Sequence, residues 1–307
     1  MPNAKKKDLR YTFIDVVNCN MCGSSTANQK ILGKRLNGSQ GRNPQKKTGI
    51  TTTIAQCANC GLIYSNPQPV PSDIQDHYGI PPEEYWKKEY FELHPSYFKT
   101  ELNIIRSLTE LKKETKVLEV GAGIGKGMIA CANAGIDVYG FESSIPFHER
   151  AISQMKIDPA RLKLASMETV EYEENEFDMV FFMAVLEHLI DPSESIKKSL
   201  KWVKKGGLIY IEVPSSNWLI AKIINLYYKI TRGDYTGNLS PMHEPYHLFE
   251  FSVKSFEENA KKLDYEIAFH QFYVCDTLMP KAIDYFIKPF MDWTKMGMQL
   301  VVVLRKK

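Results

Sequence analysis

The chain has 307 residues, with 44% hydrophobic, 24% charged and 11% aromatic content, which leaves enough apolar mass for a packed core and excludes wholesale disorder or a collagen-like chain. Its length suits one large unit plus a small one better than a single core. The net charge of +3 hides an asymmetry: ten Lys or Arg against Asp8 and Asp15 give +8 in residues 1–50 and leave −5 for the rest. The longest apolar run, Met179 to Leu186, is far short of the ~20 residues of a membrane span. Lys5, Lys6, Lys7 and Arg10 are followed by no apolar stretch or cleavage site, so no secretory signal is expected. The expectation is a soluble, cytoplasmic protein with no membrane partner.

In chain order, residues 1–15 read as a basic tail and 16–72 as a small module, closed by Pro67, Pro69 and Pro71. The module holds Cys19-Asn20-Met21-Cys22-Gly23 and Cys57-Ala58-Asn59-Cys60-Gly61. Each Cys-x-x-Cys turn offers two thiolates to one ion, the glycine permits a tight knuckle, and two knuckles complete a tetrahedral sulfur site. Four sulfurs leave zinc no open position, so Cys19, Cys22, Cys57 and Cys60 are expected to hold a structural zinc. Cys131 and Cys275 stand alone and read as core residues.

Residues 73–112 form a connector whose Phe98, Leu102, Ile105, Leu108 and Leu111 recur at helical spacing, with Ser96 as the expected N-cap. Residues 113–307 then alternate β-rich runs with helical patterns: Lys116–Val120, Val138–Phe141, Leu162–Ala165, Met179–Met183 and Leu208–Val213, with Ile267–Val274 and Gln299–Leu304 at the end. Such alternation argues an α/β fold with a doubly wound, mostly parallel sheet. An insertion, 214–250, interrupts the rhythm with the helical stretch Trp218 to Ile230 and a loop carrying His243 and His247. It is expected to act as a lid, its apolar helix excluding water and its histidines reaching inward.

Val117-Leu118-Glu119-Val120-Gly121-Ala122-Gly123-Ile124-Gly125 runs from a predicted strand into a predicted helix. Its glycines let the backbone turn tightly and approach a ligand, as in nucleotide-binding strand-to-helix turns. The next strand ends at Glu142, where a carboxylate suits the two hydroxyls of an adenosine ribose; a helix-start charge is the other use open to it.

These residues resemble the class I S-adenosylmethionine-dependent methyltransferases. Glu119 to Gly125, Glu142, Phe177-Asp178-Met179-Val180 and Leu186-Glu187-His188 before Asp191-Pro192 match that family's motifs in order across roughly residues 100–307. The resemblance implies a seven-stranded, mostly parallel, Rossmann-like sheet with S-adenosylmethionine over the carboxyl ends of the first strands. Glu119, Gly121, Gly123 and Gly125 would border its methionine and ribose, Glu142 would hold the ribose hydroxyls, and Met167 with Glu168 would border the adenine. With the cysteine knuckles, the chain looks like bacterial methyltransferases that carry an N-terminal zinc ribbon and act in surface-glycan or small-molecule pathways.

The expected acceptor is a small molecule such as a sugar-linked metabolite, methylated at a hydroxyl or, as the lesser option, at an amine or carbon, with His243, His247 or His188 as general base. For His188, capping or cofactor packing is equally open. Ubiquinone-pathway O-methyltransferases look similar here but add a glutamate three residues before Glu-His, where this chain has Ala184, so no catalytic metal is expected. Two alternatives stand beside this reading: a zinc-ribbon RNA methyltransferase, in which the zinc ribbon and the +8 N-terminal region hold the phosphate backbone of the nucleic acid, and a non-catalytic zinc-ribbon interaction protein. Only Tyr11 and Phe13 are aromatic in residues 1–60, too few for a base-stacking surface. Oligomeric state is not encoded in any motif.

Overall fold

The computed structural model describes residues 11–35, 51–73, 75, 86–239, 247–275, 277 and 280–307. The N-terminal part contains β1 (Tyr11–Ile14), β2 (Lys30–Arg35), β3 (Thr53–Gln56), β4 (Ile63–Ser65) and β5 (Gln68–Pro71). There follow α1 (Lys99–Leu108), β6 (Lys116–Val120), α2 (Lys126–Asn133), β7 (Asp137–Glu142), α3 (Ile145–Ser153) and β8 (Leu162–Leu164). The chain continues with β9 (Phe177–Met183), α4 (Pro192–Trp202), β10 (Val203–Pro214), α5 (Leu219–Ile230), β11 (Tyr235–Thr236) and β12 (Phe249–Glu250). It closes with α6 (Val253–Ala260), β13 (Tyr265–Tyr273), α7 (Lys281–Trp293) and β14 (Gln299–Lys306).

A seven-stranded sheet in the order β13-β14-β10-β9-β6-β7-β8 forms the centre. All neighbours pair in parallel except β14, which runs antiparallel to both β10 and β13. The near-continuous apolar runs of the middle strands follow from this position: Val180, Phe182, Ile209 and Ile211 are buried in one core cluster, and Met179, Phe181, Leu208 and Tyr210 in the other. A strand covered on both faces has no solvent side, so alternation gives way to unbroken hydrophobicity.

The expected strand runs all fall on observed strands. The first helix starts later than its spacing suggests. Ser96 does not cap it; its hydroxyl bonds Nδ1 of His94 at 2.7 Å. The capping position is Phe98, held at φ 65° with its ring buried against Phe181, so helical geometry begins only at Lys99.

The second sheet, in the order β11-β2-β3-β4-β12, joins the cysteine-bearing segment to the insertion. Strand β11 pairs in parallel with β2, and β12 antiparallel with β4. Thus β11 and β12, two strands of the insertion, form the two edges of the sheet. Arg35, 1% exposed, donates from its guanidinium to the Leu239 carbonyl at 2.8 Å, and Lys34 pairs with Asp234 at 2.7 Å. These two basic residues are therefore engaged within the fold; Arg42, Lys46 and Lys47 lie outside the described residues. Tyr11–Ile14, read above as part of a tail, pairs with Gln68–Pro71.

Helix α5 buries Ile220 and Ala221, while Ile223, Leu226, Tyr227 and Ile230 are exposed. Among the described residues, no helix is long and apolar enough to cross a membrane.

Candidate functional site

The carboxyl ends of β6, β7, β8 and β9 open onto a cavity of about 230 Å³. Where β6 ends the chain must reverse into α2, and Gly121 makes that turn at φ 64°. A side chain there would put its Cβ 2.8 Å from Val185 Cγ2, so the loop after β6 and the loop after β9 touch only because this position is glycine. The Ala122 N–H donates to the Phe141 carbonyl at 3.0 Å and the Gly125 N–H to the Ala122 carbonyl at 2.8 Å, which fixes the turn.

Glu142, at the end of β7, is 6% exposed and lines the cavity. Its Oε2 accepts the Gly123 N–H at 2.8 Å and its Oε1 the Ser144 N–H at 2.7 Å, so each carboxylate oxygen is anchored by one backbone donor and keeps further acceptor capacity. Burial raises its pKa above the usual carboxylate value, and the backbone donors oppose that rise. Gly121, Gly123, Met167 and Glu168 line the same cavity.

Glu119 and Gly125 lie outside the lining. The Glu119 carboxylate sits beneath the first turn of α2, where a Cβ on Gly127 would overlap Oε1. It is fully buried, its Oε2 has no hydrogen-bond partner, and desolvation lifts its pKa to about 8. Gly125 caps α2 against the Ile157 side chain. Both support the turn from below, a placement the motif alone does not distinguish from direct contact.

On the β9 side the lining includes Ala184, Val185, His188, Leu189 and Leu248. His188 ends a short 3₁₀ turn, Leu186–His188, and His247 comes from the end of the insertion. Their rings lie 4.8 Å apart between centroids at 70°, and His247 Nε2 is 3.9 Å from Glu187 Oε1. Glu187 is 1% exposed, and burial raises its pKa to about 8. One ligand-capable atom from each of Glu187, His188 and His247 falls within 4.8 Å of the others. The structure thus brings together two of the three candidate histidines; His243 lies outside the described residues.

The N-terminal segment supplies part of the wall. Pro69, Pro71 and Tyr90 line the cavity, and Gln68 donates from its amide to the Ile190 carbonyl at 2.9 Å. Gln75 donates to the Ser143 carbonyl at 2.7 Å and accepts the Ile145 N–H at 3.2 Å, a clamp on the loop that follows Glu142. The sequence carries no motif for Gln75, whereas Pro69 and Pro71 stand out in it as a segment boundary.

The cysteine knuckles are built alike. The Gly23 N–H donates to the Cys19 carbonyl at 2.8 Å and the Gly61 N–H to the Cys57 carbonyl at 3.0 Å, with both glycines near φ 75°. Sγ atoms of Cys19 and Cys60, and of Cys22 and Cys57, are 3.6 Å apart, close to the about 3.8 Å edge of a tetrahedron with ~2.3 Å zinc–sulfur bonds. The Cys60 thiol beside Cys19 draws the Cys19 pKa down to about 5, while burial raises that of Cys57. The donor set and its spacing fit a tetrahedral thiophilic ion. Helix α6 holds both knuckles: the Ser252 hydroxyl donates to the Cys60 carbonyl at 2.6 Å, and the Asn259 amide to the Met21 carbonyl at 2.9 Å.

A glycine turn and a ribose-suited carboxylate on a sheet of this strand order define a class I S-adenosylmethionine-dependent methyltransferase domain. The chain belongs to the family described as the methyltransferase domain, whose model matches residues 97–268. Within it, 105 residues are 32% identical to phosphoethanolamine N-methyltransferase 1 of Triticum aestivum, covering 33% of this chain and 21% of that enzyme. A 113-residue stretch is 32% identical to the ubiquinone biosynthesis O-methyltransferase of Pelagibacter ubique, covering 35% of this chain and 45% of that one. The matches thus span about a fifth to under a half of these relatives. The methyltransferase solved in complex with the Trm112 activator of Haloferax volcanii shares the fold, with a TM-score of 0.52 at 14% identity over 76% of this chain and 97% of that one.

Proposed function

We propose that the protein is an S-adenosylmethionine-dependent methyltransferase acting on a hydroxyl of a small molecule such as a sugar-linked metabolite. The observation that carries this reading is a single cavity with the anchored Glu142 carboxylate on its β7 side and His188 on its β9 side. In this proposal Gly121 and Gly123 give backbone approach to the cofactor, Glu142 accepts from its ribose hydroxyls, and Met167 and Glu168 border its adenine. The cofactor when bound supplies an electrophilic methyl group on a good leaving group.

What remains for the chain's own side chains is alignment and proton removal. His188 lies on the cavity wall, and His247 packs edge-on to it. One imidazole accepts the acceptor's hydroxyl proton, with the Glu187 carboxyl behind the pair, 3.9 Å from His247 Nε2. Amines belong in the acceptor panel because several relatives are named as N-methyltransferases.

Zinc on Cys19, Cys22, Cys57 and Cys60 is proposed to be structural. By holding the knuckles against α6 it keeps β4 and the following β5 in place, and with them Pro69 and Pro71 at the cavity. The segment 16–72 and the insertion 214–250 then act as one cap on the acceptor side, supported by their common sheet. Incubating the protein with labelled S-adenosylmethionine and a panel of hydroxyl and amine acceptors tests the reading. Transfer to hydroxyl compounds, lost in Glu142→Ala, is expected; transfer to RNA alone would contradict it.

A further inference from the structure

Large apolar side chains normally turn inward, yet two helices do the opposite. On α5, Ile223, Leu226, Tyr227 and Ile230 follow one another at helical spacing and are 40–71% exposed. On α7, Ile283, Phe286, Phe290 and Trp293 form a similar stripe at 45–78% exposure, with Tyr285 beside it. The helices meet at one end: the Leu219 N–H donates to the Met296 carbonyl at 3.2 Å, and the Asn217 amide to the Lys295 carbonyl at 2.9 Å. They follow β10 and β13, so both leave the sheet at the carboxyl edge, where the cavity also opens.

Charge selects the occupant of this face. Residues 218–232 contain Lys222, Lys229 and Arg232 and no acidic residue. Residues 280–296 contain Lys281, Lys288 and Lys295 against Asp284 and Asp292; Asp284 pairs with Lys288 of the same helix and Asp292 with Lys295 just after it. Six cations against two anions stand out in a chain that carries −5 beyond residue 50. We propose that α5 and α7 form a docking surface for an anionic lipid bilayer. The apolar stripes enter the boundary between headgroups and acyl chains, Trp293 and the tyrosines sit at headgroup level, and the Lys and Arg side chains reach the lipid phosphates. Helices of 12 and 13 residues are too short to span a bilayer, so they lie along it. A second copy of the chain fits poorly, because it would press two cationic faces together.

Flotation of the purified full chain with two kinds of vesicle tests this: phosphatidylcholine alone, and phosphatidylcholine with roughly one-third phosphatidylglycerol, whose charge attracts cations within a Debye length. Binding at least ~10-fold stronger to the anionic vesicles is expected, with a blue shift of tryptophan emission. Phe286→Ser/Trp293→Ser should weaken it at least ~10-fold while thermal unfolding stays unchanged, since both side chains are exposed. Lys229→Glu/Lys281→Glu should remove the preference for anionic lipid. No flotation with anionic vesicles, or flotation that persists in both variants, would overturn the proposal. So would a dimer in light scattering that becomes monomeric in Phe286→Ser/Trp293→Ser.

Discussion

The backbone N–H of Leu248 donates to the carbonyl of Glu187 at 2.7 Å, fixing the residue after His247 to the residue before His188. The Leu248 carbonyl in turn accepts the Ser65 N–H at 3.3 Å. One backbone unit therefore links the cysteine-bearing sheet, the insertion and the turn after β9, and it sets His247 against His188, which lines the cavity.

This placement makes the histidines separable from the cofactor side. His247→Ala and His188→Ala should each leave S-adenosylmethionine affinity nearly unchanged, and replacement of the true base should lower turnover by ~10²–10⁴-fold. Single-turnover assays with binding measured in parallel decide which one acts, with His243→Ala in the same series. Normal turnover in all three would assign proton removal elsewhere.

Cys57→Ser should abolish zinc binding, because three sulfurs cannot close the tetrahedron. Elemental analysis is expected to give about one zinc per chain for wild type and a large loss in the variant. Since the knuckles carry β4 and β5, the variant should also lose thermal stability and exhibit a raised acceptor KM. Equal zinc in both proteins, or none in wild type, would refute the assignment.

The buried carboxyl of Glu119 gives a pH signature. Its pKa of about 8 in the folded chain exceeds the ordinary value of 4.5, so the folded state holds this proton more tightly than the unfolded chain. Its contribution to stability is thus complete below pH about 4.5 and is lost as pH rises through about 8. Glu119→Gln should flatten the decline over this window, by at most about 1.4 kcal/mol per pH unit. Denaturant unfolding of both proteins at several pH values reads this directly. Gly127→Ala should be destabilising throughout, because its Cβ would overlap the same carboxyl.

What could be read from the sequence was local. The turn from β6 into α2, the carboxylate ending β7 and the apolar runs of the central strands each follow from neighbouring residues, and their positions hold. The assembly of the acceptor side depends on contacts between distant segments. Strands β11 and β12 have two residues each, too few to show any periodicity, and their pairing with β2 and β4 spans most of the chain. Gln75 is a single polar residue whose role arises only where it meets Ser143 and Ile145. For α5 the spacing revealed an apolar stripe but not its direction, since amphipathic pattern is the same whether a stripe faces the core or an outside partner.

The most direct test of the account is calorimetric titration of S-adenosylmethionine into wild type and Glu142→Ala. Both oxygens of Glu142 are already fixed by the Gly123 and Ser144 N–H groups, so the carboxylate is pre-positioned at the cavity and its removal should be felt in full. Wild type should bind one equivalent, and Glu142→Ala should bind at least ~10-fold more weakly with an unchanged circular dichroism spectrum, as expected for loss of a hydrogen bond to a charged group. No binding to wild type, equal binding to both proteins, or binding of a nicotinamide dinucleotide instead would contradict the account.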